Sequence, residues 1–149
     1  MSSPISIQIK GNPVTQGSKM GFNRGGRVAM VDMSDRKTKT LPANRLKDWK
    51  AKISREATKA MKARRPELGA IRLECEFYLE RSKSHWLKSG RLRNGAPIVP
   101  AKDLDKLVRA VGDSLSEICY KDDVQVVELS ASKAFAAGPG YANVRVVVL

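Results

Sequence analysis

The sequence predicts an α+β fold: a single domain over residues 1–149 with a mixed β-sheet, two main helices and a C-terminal antiparallel hairpin. Short segments of alternating apolar residues near both ends indicate half-buried strands. Two longer segments repeat apolar residues at three- and four-residue steps, which is typical of amphipathic helices. No linker, internal repeat or low-complexity tract divides the chain, and this length can bury a core without disulfides or a structural metal.

The first half of the chain is predicted to hold a strand, a glycine-rich basic loop and a helix. Residues 5–10 alternate isoleucine with polar residues and form the strand. Residues 11–27 are a flexible basic loop or loose hairpin that leads to the apolar run 28–31. A helix over about 42–64 buries Leu46, Trp49 and Ile53, while its outer face is either a solvated surface or a DNA contact, with neither favoured. That outer face carries Lys47, Lys50, Lys52, Arg55, Lys59 and Lys62.

The second half is predicted to hold three strands and a second helix. Residues 71–80 alternate most clearly, and residues 81–102 form a long basic loop without periodicity. The helix spans about 103–118. The Gly138-Pro139-Gly140 turn then joins the strands 124–131 and 141–149 into the expected hairpin.

Composition excludes several classes of protein. Cys75 and Cys119 are isolated, so neither a disulfide framework nor a zinc site is expected, and both are predicted to be buried. His85 is the single histidine, so hydrolytic chemistry would depend on carboxylates. No apolar stretch is long enough for a membrane span and no signal peptide is evident, which predicts a cytoplasmic protein without a membrane partner. The phosphate-binding glycine motifs are also absent, so no small-molecule cofactor is expected.

The formal net charge of +13 makes nucleic acid the expected partner, although a protein that is only basic and soluble is the simpler alternative. Basic side chains of the two loops are candidates for phosphate contacts, and Trp86 is a weaker candidate for base stacking. The candidate DNA-binding residues are Lys19, Arg24, Arg27, Arg81, Lys83, Lys88, Arg91, Arg93 and Lys102.

Acidic residues are concentrated in one segment: seven of the fifteen lie between Asp103 and Glu128. Mg²⁺ prefers hard oxygen ligands and needs no histidine, so Asp103, Asp105 and Asp123 are candidate ligands. Asp103 and Asp105 can converge only if Asp103 is still extended at the helix cap, and Asp123 can join them only if the helix packs across the next strand. Ordinary capping and turn formation are the alternative explanation for each acid pair.

The segment from Ala101 to Leu129, AKDLDKLVRAVGDSLSEICYKDDVQVVEL, resembles the RusA family of Holliday junction resolvases. The match rests on the DLDKL motif and on the later DDVQVV motif. The resemblance implies a homodimeric endonuclease that depends on Mg²⁺, with Mn²⁺ as a substitute. Such an enzyme nicks two opposed strands of branched DNA, a four-way junction, in the cytoplasm of a bacterium or a phage-infected host.

The resemblance also implies roles for individual residues. Asp103 and Asp105 fall on the family's metal ligands, and Asp123 falls on its essential second acid. Arg109 stands where the family has a lysine; since a guanidinium stays protonated, Arg109 is expected to stabilise charge rather than to transfer a proton. Lys106 is expected to point elsewhere on the helix and is therefore only a weak substitute for that lysine. The neighbouring acids of the family are matched by Asp113 and Asp122, with less defined roles. The rival hypothesis is a basic nucleic-acid-binding protein without catalysis.

Overall fold

The computed structural model describes residues 3–17, 19–39 and 41–149. The predicted α+β class is confirmed: a four-stranded mixed sheet packs against two helices, and a separate two-stranded hairpin follows the first strand. The elements are β1 (Ile5–Lys10), β2 (Lys19–Arg24), β3 (Arg27–Asp32), α1 (Arg45–Met61), β4 (Ile71–Leu79), α2 (Leu104–Leu115), β5 (Val126–Phe135) and β6 (Tyr141–Val148).

The sheet has the order β1-β6-β4-β5, in which β4 pairs parallel with β5 and antiparallel with β6. The predicted C-terminal hairpin is therefore wrong, because β4 lies between the last two strands. The five residues 136–140 are long enough to cross β4, since two strand spacings amount to about 10 Å. This order places β6, which is buried at alternating positions, inside the sheet, and it leaves the mostly exposed β5 at the edge.

One continuous hydrophobic core lies between the sheet and the helices. Helix α1 buries Trp49, Ile53 and Ala57, and α2 buries Leu107 and Val111, against the apolar side chains of β1, β4 and β6. Fully burying one such large apolar side chain contributes about 1.5–3 kcal/mol, so packing rather than helix propensity fixes both helices in place.

Helix α1 is shorter than the predicted 42–64 at both ends. Asn44 precedes the helix with a left-handed backbone at φ +61°, and Lys62 and Ala63 follow it with φ of +48° and +66°. Three residues with positive φ cannot continue a right-handed helix, so the chain turns away before Pro66 is reached.

The glycine-rich segment forms the hairpin that the sequence offered as one alternative. Strands β2 and β3 pair antiparallel from Lys19↔Asp32 to Arg24↔Arg27. Gly25 and Gly26 form the turn with φ of +57° and +83°. Two consecutive residues with positive φ are what a two-residue hairpin turn requires, and glycine adopts them without strain.

Both cysteines are buried free thiols, as predicted. Burial raises the pKa of Cys75 to about 12 and that of Cys119 to about 11, so neither is a reactive thiolate near neutral pH. No helix within the described ranges has the length and apolar character needed to cross a membrane.

Candidate metal centre and nucleic-acid interface

Helix α2 positions the first acidic pair. Asp103 is its N-cap residue and is extended, with φ −68° and ψ 128°, as the convergence of Asp103 and Asp105 requires. The Asp103 carbonyl accepts the Leu107 N–H at 3.1 Å, but the carboxylate makes no capping hydrogen bond. Asp105 follows in the first turn, and both acids are exposed. The carboxylate oxygens of Asp103 are therefore not engaged by the helix backbone.

Lys106 contacts the first acid of this pair, Asp103. Its Nζ lies 3.3 Å from Oδ2 of Asp103. The expectation that Lys106 points elsewhere is wrong, because residues three apart on a helix are neighbours and Asp103 sits at the cap. Both side chains are well exposed, so the ion pair contributes about 0–1 kcal/mol and can be exchanged for another partner.

The second acidic pair lies in a tight turn between α2 and β5. Oδ1 of Asp122 accepts the N–H of Val124 at 3.0 Å, and Oε1 of Gln125 accepts the N–H of Asp122 at 2.8 Å. Nε2 of Gln125 also donates to the carbonyls of Glu67 and Gly69, each at 2.9 Å. This reciprocal capping box fixes the backbone that carries Asp123.

The pKa values of the two members of this pair are shifted in opposite directions. The Val124 N–H and a hydrogen bond with Asp123 lower the pKa of Asp122. The pKa of Asp123 is raised, first by that shared hydrogen bond, then by burial and by the negative charges of Asp122 and Asp113. A cation bound at Asp123 would relieve this repulsion between like charges.

The predicted ligands do not form a ready-made group of three. Across residues 3–17, 19–39 and 41–149, no three Asp, Glu, His or Cys side chains lie close enough to hold a metal ion. The acids that act electrostatically on Asp123 are Asp122 and Asp113. Asp113 lies eight residues after Asp105, or about 12 Å along the helix axis. The ligand assignment of Asp103, Asp105 and Asp123 therefore stays a prediction.

The side chains of Asp103 and Asp105 nevertheless suit Mg²⁺ by their chemistry. Mg²⁺ is usually held by one or two carboxylates, with waters and substrate phosphate oxygens completing its octahedron. Asp103 and Asp105 provide two exposed carboxylates, and the one at Asp103 makes no capping bond.

Arg109 and Asp113 are both exposed on α2, four residues apart. Asp113 accepts a hydrogen bond at 2.6 Å from Nε2 of Gln16, whose own N–H donates to the Lys106 carbonyl at 3.0 Å. In the described part of the molecule Arg109 takes part in no salt bridge. Asp113 is thus tied to the segment before the hairpin, whereas Arg109 remains available to a phosphate.

Residues 81–102 form a folded loop, and two of its arginines hold it together. Arg81 donates to the Pro97 carbonyl at 2.8 Å and lies 3.9 Å from the centre of the Phe135 ring. Arg93 donates to the Ser84 carbonyl at 3.2 Å. The side chains of Lys83, Lys88 and Arg91 in this loop are exposed. Trp86 is 37% exposed and forms an isolated antiparallel β-bridge with Leu92.

The other candidate DNA contacts are distributed over the hairpin and the start of α2. Arg27 is exposed beside the hairpin turn. The side chains of Lys19 and Arg24 lie outside the described part of the structure. Nζ of Lys102 donates to the Pro13 carbonyl. Burial lowers the pKa of Lys102, and the positive charge of Arg45 lowers it further.

Sequence patterns missed three residues that shape this region. Gln16 and Gln125 anchor the two acidic segments through hydrogen bonds between residues distant in sequence, which no local pattern reveals. Arg45 belongs neither to the basic outer face predicted for its helix nor to the basic loops, yet it lies near Lys102.

The chain is similar to known proteins over most of its length. A family model described as "Endodeoxyribonuclease RusA" matches residues 11–147. The chain is also 29% identical over 142 residues to the Bacillus subtilis (strain 168) protein "Uncharacterized protein YqaN". The aligned region covers 91% of this chain and 90% of that protein.

Proposed function

Starting from the fact that this chain belongs to the RusA endodeoxyribonuclease family, we propose that it is a Mg²⁺-dependent nuclease that resolves four-way DNA junctions by paired symmetric nicks. The family assignment, over residues 11–147, supports a nuclease rather than a basic protein that only binds nucleic acid. The observation that carries the proposal for this chain is the exposed carboxylate of Asp103, which occupies a cap position without capping.

In this proposal the chain's own residues bind the metal and orient the phosphate. Asp103 and Asp105 supply oxygen ligands from the start of α2, and Asp123 joins them from the turn before β5. Mg²⁺ held by these carboxylates would supply a water of lowered pKa and would neutralise charge on the scissile phosphate. Lys106 and Arg109 add fixed positive charge on the same helix, which favours the more negative transition state.

The exposed cations of the hairpin and of the loop 81–102 would bind the flanking phosphates. Their contribution is affinity without sequence information, since phosphate contacts position the nucleic acid and do not read its bases. The other face of the sheet is a poorer DNA surface: a cleft of about 560 Å³ there is lined by Glu74 and Glu76, and the guanidinium of Arg145, which also lines it, lies 3.7 Å from the Glu74 carboxylate. The acidic side chains direct DNA toward the loop side of the fold.

Resolution requires two opposed cuts, and we propose a homodimer because two-fold symmetry presents two equal centres to the two strands. The site of action proposed is the bacterial or phage-infected cytoplasm, where recombining DNA is found. Mn²⁺ is proposed as a substitute for Mg²⁺, because both accept carboxylate and water ligands.

The test compares wild type, Asp103→Asn and Glu80→Gln on labelled four-way junction and linear duplex. Glu80 is an exposed acid just after β4, so Glu80→Gln controls for the loss of one negative charge. Wild type and Glu80→Gln are expected to nick only the junction, with Mg²⁺ or Mn²⁺ and not with EDTA. Asp103→Asn is expected to bind the junction as tightly and to leave it intact. Equal cleavage by Asp103→Asn would refute the assignment.

A further inference from the structure

A positively charged cleft of about 540 Å³ lies beside the start of α2. Three cationic side chains line it: Arg45 and Lys52 from α1, and Lys102, which directly precedes Asp103. Asp48 and Trp49 also contribute to its wall. The cleft thus joins the first three turns of α1 to the residue next to the proposed metal ligands.

The charges in this cleft are not balanced. Asp48 is the acid in its lining, and no salt bridge in the described ranges involves Arg45, Lys52 or Lys102. The contacts of Arg45 and Lys102 are to carbonyls instead: Arg45 donates to Arg36 at 2.8 Å and to Pro42 at 3.2 Å, and Lys102 donates to Pro13. Carbonyl contacts satisfy the N–H groups but leave the positive charges uncompensated.

Burial makes this imbalance costly. Lys102 is partly buried and lines the same cleft as Arg45. Two like charges in a poorly hydrated site oppose each other, and an anion between them would remove that cost. Trp49 in the cleft wall is 2% exposed, and its indole Nε1 has no acceptor in the described structure.

We propose that this cleft binds a backbone phosphate of the DNA strand, adjacent to the scissile phosphate at the proposed metal site. The inference rests on the proposed function and specifies where the substrate strand lies. Lys102 directly precedes Asp103 in the chain, so the cleft adjoins the segment that carries the proposed metal ligands. A strand fixed on both sides of Asp103 would be held in register for cleavage. Free inorganic phosphate has the same chemistry and is the competing ligand.

Lys52→Gln is the sharpest variant, since Lys52 takes part in none of the side-chain hydrogen bonds that hold Arg45 and Lys102. Lys59→Gln is its matched control, with the same substitution on the same helix at a residue that is paired with Glu56 outside the cleft. Junction binding is measured in EDTA over a range of salt concentrations, and thermal unfolding confirms that both variants fold.

Plotted as log affinity against log salt concentration, binding by Lys52→Gln is expected to have a slope about 0.9 smaller in magnitude than that of wild type. The slope for Lys59→Gln is expected to stay unchanged, because one phosphate contact is lost only in Lys52→Gln. Equal slopes for the two variants would overturn the proposal. A second result would also overturn the proposal and assign the cleft to free phosphate. In that case inorganic phosphate quenches the tryptophan fluorescence saturably in wild type but not in Lys52→Gln, while the salt slope of DNA binding by Lys52→Gln stays at the wild-type value.

Cleavage by wild type, measured in parallel, separates the two proposals. Absence of junction cleavage with Mg²⁺ would refute the proposed function even if the slopes differ. Cleavage together with equal slopes would refute only the phosphate cleft.

Discussion

Asp103 and Asp122 both lie immediately before a helical turn, yet their carboxylates make different contacts. Asp122 accepts the N–H of Val124 at 3.0 Å within a complete capping box. Asp103 precedes the longer helix α2 and makes no capping bond, and its carboxylate instead faces Lys106 at 3.3 Å. A cap acid that does not cap remains available as a ligand. One acid of the second pair is thus used to hold the turn, which leaves Asp123 as the candidate ligand there.

The strongest test of this comparison is cleavage by Asp123→Asn and Asp122→Asn. We expect Asp123→Asn to lose more activity than the roughly 10–100-fold typical of changes next to metal ligands, because it removes a ligand. Asp122→Asn keeps an oxygen that can accept the Val124 N–H, so a smaller loss is expected. Single-turnover rates on labelled junction measure both. Equal losses would mean that the two acids act as one unit.

Stability is the next discriminator between the two cap positions. Asp122→Ala removes a capping bond and should lower the free energy of unfolding by about 0.5–2 kcal/mol. Asp103→Ala removes only an exposed ion pair, for which a loss of about 0–1 kcal/mol is expected. Urea unfolding followed by circular dichroism measures both. A larger loss for Asp103→Ala would show that its carboxylate is structural after all.

The smallest effect is expected from Arg109→Lys. If Arg109 contributes only positive charge near the phosphate, a lysine replaces it and the cleavage rate changes by less than about threefold. Lys106→Met, which removes the cation that contacts Asp103, should then have the larger effect. Cleavage rates at saturating junction compare the two variants. Complete loss with Arg109→Lys would instead show that guanidinium geometry is required.

Local patterns predicted most of the fold. The alternation in β1 and β4 and the apolar spacing in α2 depend on neighbours a few residues away, and these elements are where the sequence places them. Strand order depends on which distant strands bury the most surface, and the insertion of β4 between β5 and β6 has no local signal. The prediction of a C-terminal hairpin is wrong for that reason.

The candidate site was predictable in part. That Asp103 is extended at the cap follows from its place before an apolar helical repeat, and this was confirmed. The direction of Lys106 and the charged cleft of Arg45, Lys52 and Lys102 depend on how α1 and α2 pack, which spacing within one segment does not encode.

Strand β5 forms a margin of the sheet, paired on one side only, with Val127 and Leu129 63% and 55% exposed. A bare margin of this kind can recruit another chain during concentration or refolding. Glu128 interrupts the apolar pair, and the chain's net charge of +13 keeps molecules apart. Preparations of this protein should therefore stay dispersed at low ionic strength and become prone to precipitation as salt screens that repulsion.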